Sequence, residues 1–300
     1  MTTTLPAAYE ESFSAVPAPI KMVRFSPSGR FMATGDTELQ VKIWDGDQLV
    51  AAIDPHSHDE KIRPTENIRG LEFSVDEKLL FVAASDTVNA YSCETSELIW
   101  YHRPPRFFGF LIVSPQALAV SPNGTLAASF DYGSIATFTP GGEVQWRKSE
   151  NYAPRRIAFS PKGKALVGVD AFNLCVWNAE NGERVHRWRL ENKVFTMAAS
   201  LTEPLIVTRE LHTLTIYDID QFQRICQLPS GRGLPCLAMS PVDRLLASGE
   251  KTRIRLINLE CQGVRDIDVS ESSVLSLAFS ADGKRIVAGC ADGQVRSWDV

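Results

Sequence analysis

Residues 274–300 read VLSLAFS-ADG-KRIVAGC-ADG-QVRSWDV. Three runs with alternating apolar positions are separated by two Asp-Gly pairs, at 282–283 and 292–293. Asp-Gly between alternating segments is a hairpin signal, because both residues tolerate the left-handed backbone that tight turns need. The stretch therefore predicts three antiparallel strands. Three strands with an open outer edge are marginal alone, so the unit is expected to recur upstream and its edge to be covered.

Ser280 closes the first of these runs, and matching serines stand at Ser26, Ser74, Ser121, Ser160, Ser200 and Ser240. Successive spacings are 48, 47, 39, 40, 40 and 40 residues, the self-similarity of a repeat architecture. Proline follows as Pro27, Pro122, Pro161 and Pro241, and glycine stands three after the serine as Gly29, Gly124, Gly163 and Gly283. Serine bonds turn backbone, proline presets φ at the first corner, and glycine takes the positive-φ position. Seventeen or eighteen residues after each serine comes a bulky position: Trp44, Tyr91, Phe138, Trp177, Tyr217, Ile257 and Trp298. Small residues lie between the two anchors, as in Ala127-Ala128-Ser129 and Val287-Ala288-Gly289. Small centres and bulky outer positions suit sheets packed radially. No window keeps a helical period.

These units resemble WD repeats. Trp44-Asp45 and Trp298-Asp299 match the dipeptide that names the family, and Trp177-Asn178, Tyr217-Asp218 and Ile257-Asn258 are weakened versions. The resemblance runs from Val23 to Val300 and implies an all-β fold: a seven-bladed β-propeller of four-stranded antiparallel blades. Residues 1–300 are expected to form one such unit, with blades starting near 20, 68, 116, 155, 194, 234 and 274. The Gly-His dipeptide usual in the family is absent, so Asp36, Asp86, Asp131, Asp170 and Asp292 are expected to lack the histidine that normally bonds them. The family also implies that the N-terminal segment 8–16 (AYEESFSAV) supplies the missing outer strand of the last blade.

Composition narrows the function. A net charge of −5 argues against a general nucleic-acid binder. Six cysteines are scattered without a CxxC pair, which excludes a zinc ribbon and suits isolated buried thiols in a reducing, cytoplasmic compartment (or the nucleus of a eukaryote). The first residues, MTTTLPAAYEESF, do not read as a signal peptide. The longest apolar stretch, 107–113, is too short to span a bilayer, so no membrane role is expected.

Function is expected where the repeats diverge. The 48- and 47-residue spacings place extra length in two neighbouring connections on one face. The first, 54–67 (DPHSHDEKIRPTEN), carries His56, His58, Asp59 and Glu60, but their spacing fits no standard metal site, and it reads as a solvated polar loop. The second, 103–114 (RPPRFFGFLIVS), puts Phe107, Phe108, Phe110, Leu111, Ile112 and Val113 in a connection. So much apolar surface requires burial or a partner. Either the segment packs over the ring or against blade sides, or it is a binding ridge edged by Arg103 and Arg106. The same face is expected to carry Arg69, Phe130, Tyr132, Arg155, Arg156, Phe172 and Arg232. Arginine outnumbers lysine 21 to 10, and its planar fork suits carboxylate or phosphate. A protein or peptide partner, acidic or phosphorylated, is the ligand class expected.

Nothing in the sequence assembles an active site. Two residues before each serine stand Arg24, Glu72 and then five alanines, which perform no acid–base chemistry; Arg24 and Glu72 are expected to pair. No catalytic residue, cofactor or metal is expected, and the reading is a non-catalytic binding scaffold. Two alternatives stand beside it. The segments ending in Trp100, Trp146 and Trp188 resemble quinoprotein-like propellers, some of which are enzymes that bind a quinone. The chain also suits a permanent structural subunit of a larger complex.

Overall fold

The anchor serines set up the first turn of every repeat. The backbone N–H of each one closes that turn, as in Ser26 to Phe31 and Ser280 to Arg285, both 2.9 Å. In five repeats the hydroxyl also accepts, at 3.0 Å, the N–H of a residue at the start of the next strand or just before it: Phe31, Leu79, Thr125, Ala165 and Arg285. Gly29, Gly124, Gly163 and Gly283 take φ between 67° and 86°, where a side chain would be strained. Glu77 occupies the matching position of the second repeat at φ 59°.

The computed structural model describes residues 18–55, 68–109, 111–151, 153–231, 236–260, 264–269 and 272–300. Each repeat is an antiparallel meander, and we number them blades one to seven. Their inner strands are Ile20–Phe25, Ile68–Phe73, Pro115–Val120, Arg156–Phe159, Thr196–Ala199, Cys236–Met239 and Val274–Phe279. Each inner strand packs beside the next, and the last beside the first, which closes a ring. Among the described residues six blades have four strands and blade seven has three. The fourth strand expected from 8–16 lies outside the described residues, as does 56–67 of the first long connection. The fold is all-β, a seven-bladed β-propeller; the one helical element described is a three-residue 3-10 turn, Asp131–Gly133.

The core is split between neighbours. Seven buried clusters each join two adjacent blades, as Phe31, Ile43 and Val41 of blade one do with Leu71, Phe73 and Leu80 of blade two. All seven bulky anchors are buried, as the taper requires. Burial of this apolar surface drives the fold, and it needs both neighbours at once.

One expectation is completed and one corrected. The aspartates meet donors other than the family's histidine. Asp86 meets Arg103 at 2.8 Å, Asp131 meets the Gln116 amide at 2.7 Å, Asp170 takes the Asn173 amide at 2.8 Å, and Asp292 meets Arg296 at 2.7 Å. Asp86 is buried, and a buried carboxylate must be bonded; Asp131 and Asp170 are half-buried and Asp292 is exposed, and their donors differ from blade to blade. The thiols are also not uniformly buried. Cys93, Cys175, Cys236 and Cys290 are, and burial pushes the first three up to about 12; Cys226 is partly exposed on an outer strand.

Candidate functional site: one face and the channel mouth

The connection from blade two to blade three contains a small hairpin. Phe107 and Leu111 exchange backbone hydrogen bonds of 2.9 Å in both directions, and Phe108 and Gly109 take the turn with φ 50° and 78°. Burial along the segment is asymmetric. Val113 is buried in the cluster shared by blades two and three, while Phe108 at the tip is 76% exposed and Phe107 38%. The segment is rooted in the core at one end and presents aromatic rings at the other. Phe107 lies 4.3 Å from Phe108 and stacks at 4.6 Å on Tyr132. Tyr132 stands at φ 60° in the turn between the second and third strands of blade three.

The next two blades continue the apolar rim. Their corresponding turns put Phe172 and Leu211 at the tip, 50% and 62% exposed. In every blade this turn lies at the same end of the sheet as the start of the inner strand, as the pairs Ile68↔Ala84, Arg156↔Val169 and Val274↔Cys290 show. The exposed residues Phe107, Phe108, Tyr132, Phe172 and Leu211 thus form an arc on one face, over blades three to five.

Inside the arc lies the mouth of the central channel. Five residues before the anchor serine, blades one to four carry Lys21, Arg69, Gln116 and Arg155. In the first three blades this residue is the extra one of a β-bulge, between Ile20/Met22, Ile68/Gly70 and opposite Ser129/Phe130. Bulges re-aim a side chain relative to its strand. Arg69 donates to Gln116 Oε1 at 3.1 Å, and Gln116 donates to Asp131 at 2.7 Å. One polar chain therefore runs from the channel mouth to the turn that holds Tyr132. Deeper in the channel, Arg24 and Glu72 pair at 3.1 Å as expected. Burial lifts the Glu72 carboxyl above its ordinary range despite that arginine. Arg156 touches solvent but is surrounded by protein. Burial, and then the charges of Arg24, Arg69 and Arg155, pull it below the ordinary guanidinium range.

The sequence-predicted residues fall into distinct groups. Phe107, Phe108 and Tyr132 meet in one stack. Arg69, Arg155 and Arg156 gather at the channel mouth, and Phe172 stands one blade beyond Tyr132. Arg103 is engaged by the buried Asp86 at 2.8 Å, and Arg106 is exposed at the hairpin base. Phe130 is a correction: it is fully buried between blades two and three, because the strand continues through it before the turn begins. Phe110 and Arg232 lie outside the described residues. Sequence reasoning missed Lys21, Gln116 and Leu211. The fixed offset from the anchor serine, applied to every repeat, would have found the first two.

Among the described residues no three His, Cys, Asp or Glu side chains are grouped to hold a metal, and no helix is long and apolar enough to cross a membrane. Trp100 and Trp146 serve packing: each donates its indole N–H to a carbonyl of the next blade, Pro140 at 2.9 Å and Ala179 at 2.8 Å. No curated protein matches the chain. A model of the WD domain, G-beta repeat, matches residues 12–45 and 261–299. These two matches, together with the ring of seven blades, support a WD-repeat β-propeller.

Proposed function

We propose that the chain is a non-catalytic scaffold that binds a protein or peptide partner on the face bearing the aromatic hairpin. WD-repeat propellers fit protein interaction in general. The observation that carries the finer reading is the arc of exposed Phe107, Phe108, Tyr132, Phe172 and Leu211. Aromatic residues held rigidly at a surface are the composition of binding hot spots. The hairpin is closed by its own backbone bonds and tied down at Val113, so docking costs little ordering entropy.

The test is capture of partners from the native host by the intact chain and by Phe107→Ser/Phe108→Ser. The reading expects specific co-purifying proteins to be lost from the variant while its unfolding transition stays cooperative. Undiminished capture by the folded variant would remove this face from consideration.

A further inference from the structure

We propose that the channel mouth reads a phosphorylated side chain on the docked peptide, with Arg69, Arg155 and Arg156 as the phosphate-binding residues. The inference rests on the reading of this face as an interaction surface, and it adds the chemistry recognised there.

The geometry is asymmetric around the ring. At the position five before the anchor serine, blades one, two and four carry Lys21, Arg69 and Arg155, and blade three carries Gln116. Blade five has Phe195 and blade seven Leu275. Positive charge at this position is therefore carried by blades one, two and four, and the last of these lies under the aromatic arc. Arg156 is an exception in its own register. Four residues before the serine the described blades otherwise hold Met22, Gly70, Ala117, Thr196, Cys236 and Ser276, so one guanidinium stands where small or neutral side chains are the pattern. Arg24 of blade one acts on Arg156 of blade four, although two blades separate them around the ring. The short path between them crosses the channel.

The acids beside these arginines are already engaged: Glu72 is matched to Arg24 and Asp131 to Gln116. The Arg156 fork donates to the Arg155 carbonyl at 2.7 Å. The Nε of Arg69 is buried with no hydrogen-bond partner, and a buried donor left unpaired is costly. A single carboxylate would offset about one of these charges. A phosphate monoester carries about −1.5 to −2 at neutral pH with three acceptor oxygens, and guanidinium forks bind it bidentately. Through Gln116 and Asp131 the same arginine cluster is coupled to Tyr132, so phosphate in the mouth places neighbouring peptide side chains on the Phe107 and Phe108 rings.

The experiment uses the full chain and two degenerate peptide pools with one fixed central residue, serine or phosphoserine, and inorganic phosphate as a third ligand. Fluorescence anisotropy of labelled pools measures affinity, and phosphate is measured as a competitor. The expected result is binding of the phosphoserine pool at least tenfold tighter than the serine pool. That preference should fall with rising salt and be lost in Arg156→Gln and in Arg69→Gln. Both variants should still unfold in one cooperative transition, which separates loss of the preference from loss of the fold. Phe108→Ser should weaken both pools without removing the preference. Equal affinity for the pools, or a preference unchanged in both arginine variants, overturns the inference. Binding of inorganic phosphate alone, with neither pool bound, overturns the peptide as the source. The interaction surface itself would still stand if partner capture depends on Phe107 and Phe108, so the two readings fail separately.

Discussion

The ring of Tyr132 lies on that of Phe107, 4.6 Å between centroids and 3° from parallel. The two residues belong to different segments, one a connection between blades and the other a turn within blade three. Their contact fixes the hairpin to the propeller. Phe108, next in the chain, touches Phe107 but is otherwise in solvent.

Stability should rank these residues. Phe108→Ser is expected to change unfolding free energy by less than about 0.5 kcal/mol, as surface substitutions do. Phe107→Ser removes the stack and is expected to cost about 1 kcal/mol. Urea unfolding of both variants checks the order. A Phe108 variant as destabilised as a core mutant would mean that the tip is packed, not presented.

Arg209 provides a second test. It is 2% exposed and donates to the Gly249 carbonyl at 2.6 Å, the Gly231 carbonyl at 3.0 Å and the Ser248 hydroxyl at 3.1 Å. It thereby holds blade five to blade six. Arg209→Met leaves those acceptors unpaired inside the protein and is expected to cost about 3 kcal/mol. Arg224, exposed on an outer strand, is the control, and its change to Gln should be near neutral. Equal unfolding midpoints for the two variants would contradict the clamp.

The outer rim depends on a glycine beneath a tryptophan. A Cβ on Gly142 would stand 2.7 Å from Trp100 Cδ2, and φ there is 89°. Gly142→Ala therefore both strains the backbone and displaces the indole that bonds Pro140. A loss of about 2 kcal/mol is expected, with the tryptophan emission shifted to the red as Trp100 becomes wetter. The same substitution at Gly109, at φ 78° with open space around it, should cost about half as much because strain is the main effect.

His102 gives the stability a pH dependence. Burial first, and then the Arg147 guanidinium 2.8 Å away, hold its imidazole down to about 4, against 6.5 for the free group. Between those values the unfolded chain binds a proton that the folded chain refuses. Its contribution is thus complete above about pH 6.5 and is lost as pH falls toward about 4. His102→Gln should flatten the dependence of the melting temperature on pH across that window. Parallel curves for variant and parent would show that His102 is not a source of the slope.

The legible part of the fold was the part that repeats. The Ser26-to-Gly29 turn and the Trp44 anchor are local devices. A serine bonds backbone four or five residues away, and a glycine satisfies φ without reference to the rest of the chain. The Arg24–Glu72 pair was legible too, because both stand two residues before an anchor serine on adjacent blades. Phe130 was misread for the opposite reason. It and Phe107 are chemically identical, and their offsets from a turn do not reveal which one the neighbouring blade covers. The aspartate partners were hidden likewise: Gln116 and Arg103 reach Asp131 and Asp86 through space, not through a fixed motif.

By itself the sequence determined the meander of residues 274–300, its seven copies and the closed all-β ring they build, because alternation, turn chemistry and period act over short range. Contacts between blades set which aromatic residues are surface, which arginine is buried as a clamp, and which arginines meet. Arg69 and Arg156 are 87 residues apart in the chain, and closure of the ring brings them to one channel mouth. Exposure and electrostatic potential depend on what lies across the axis and in the next blade, and that is a property of the assembled ring.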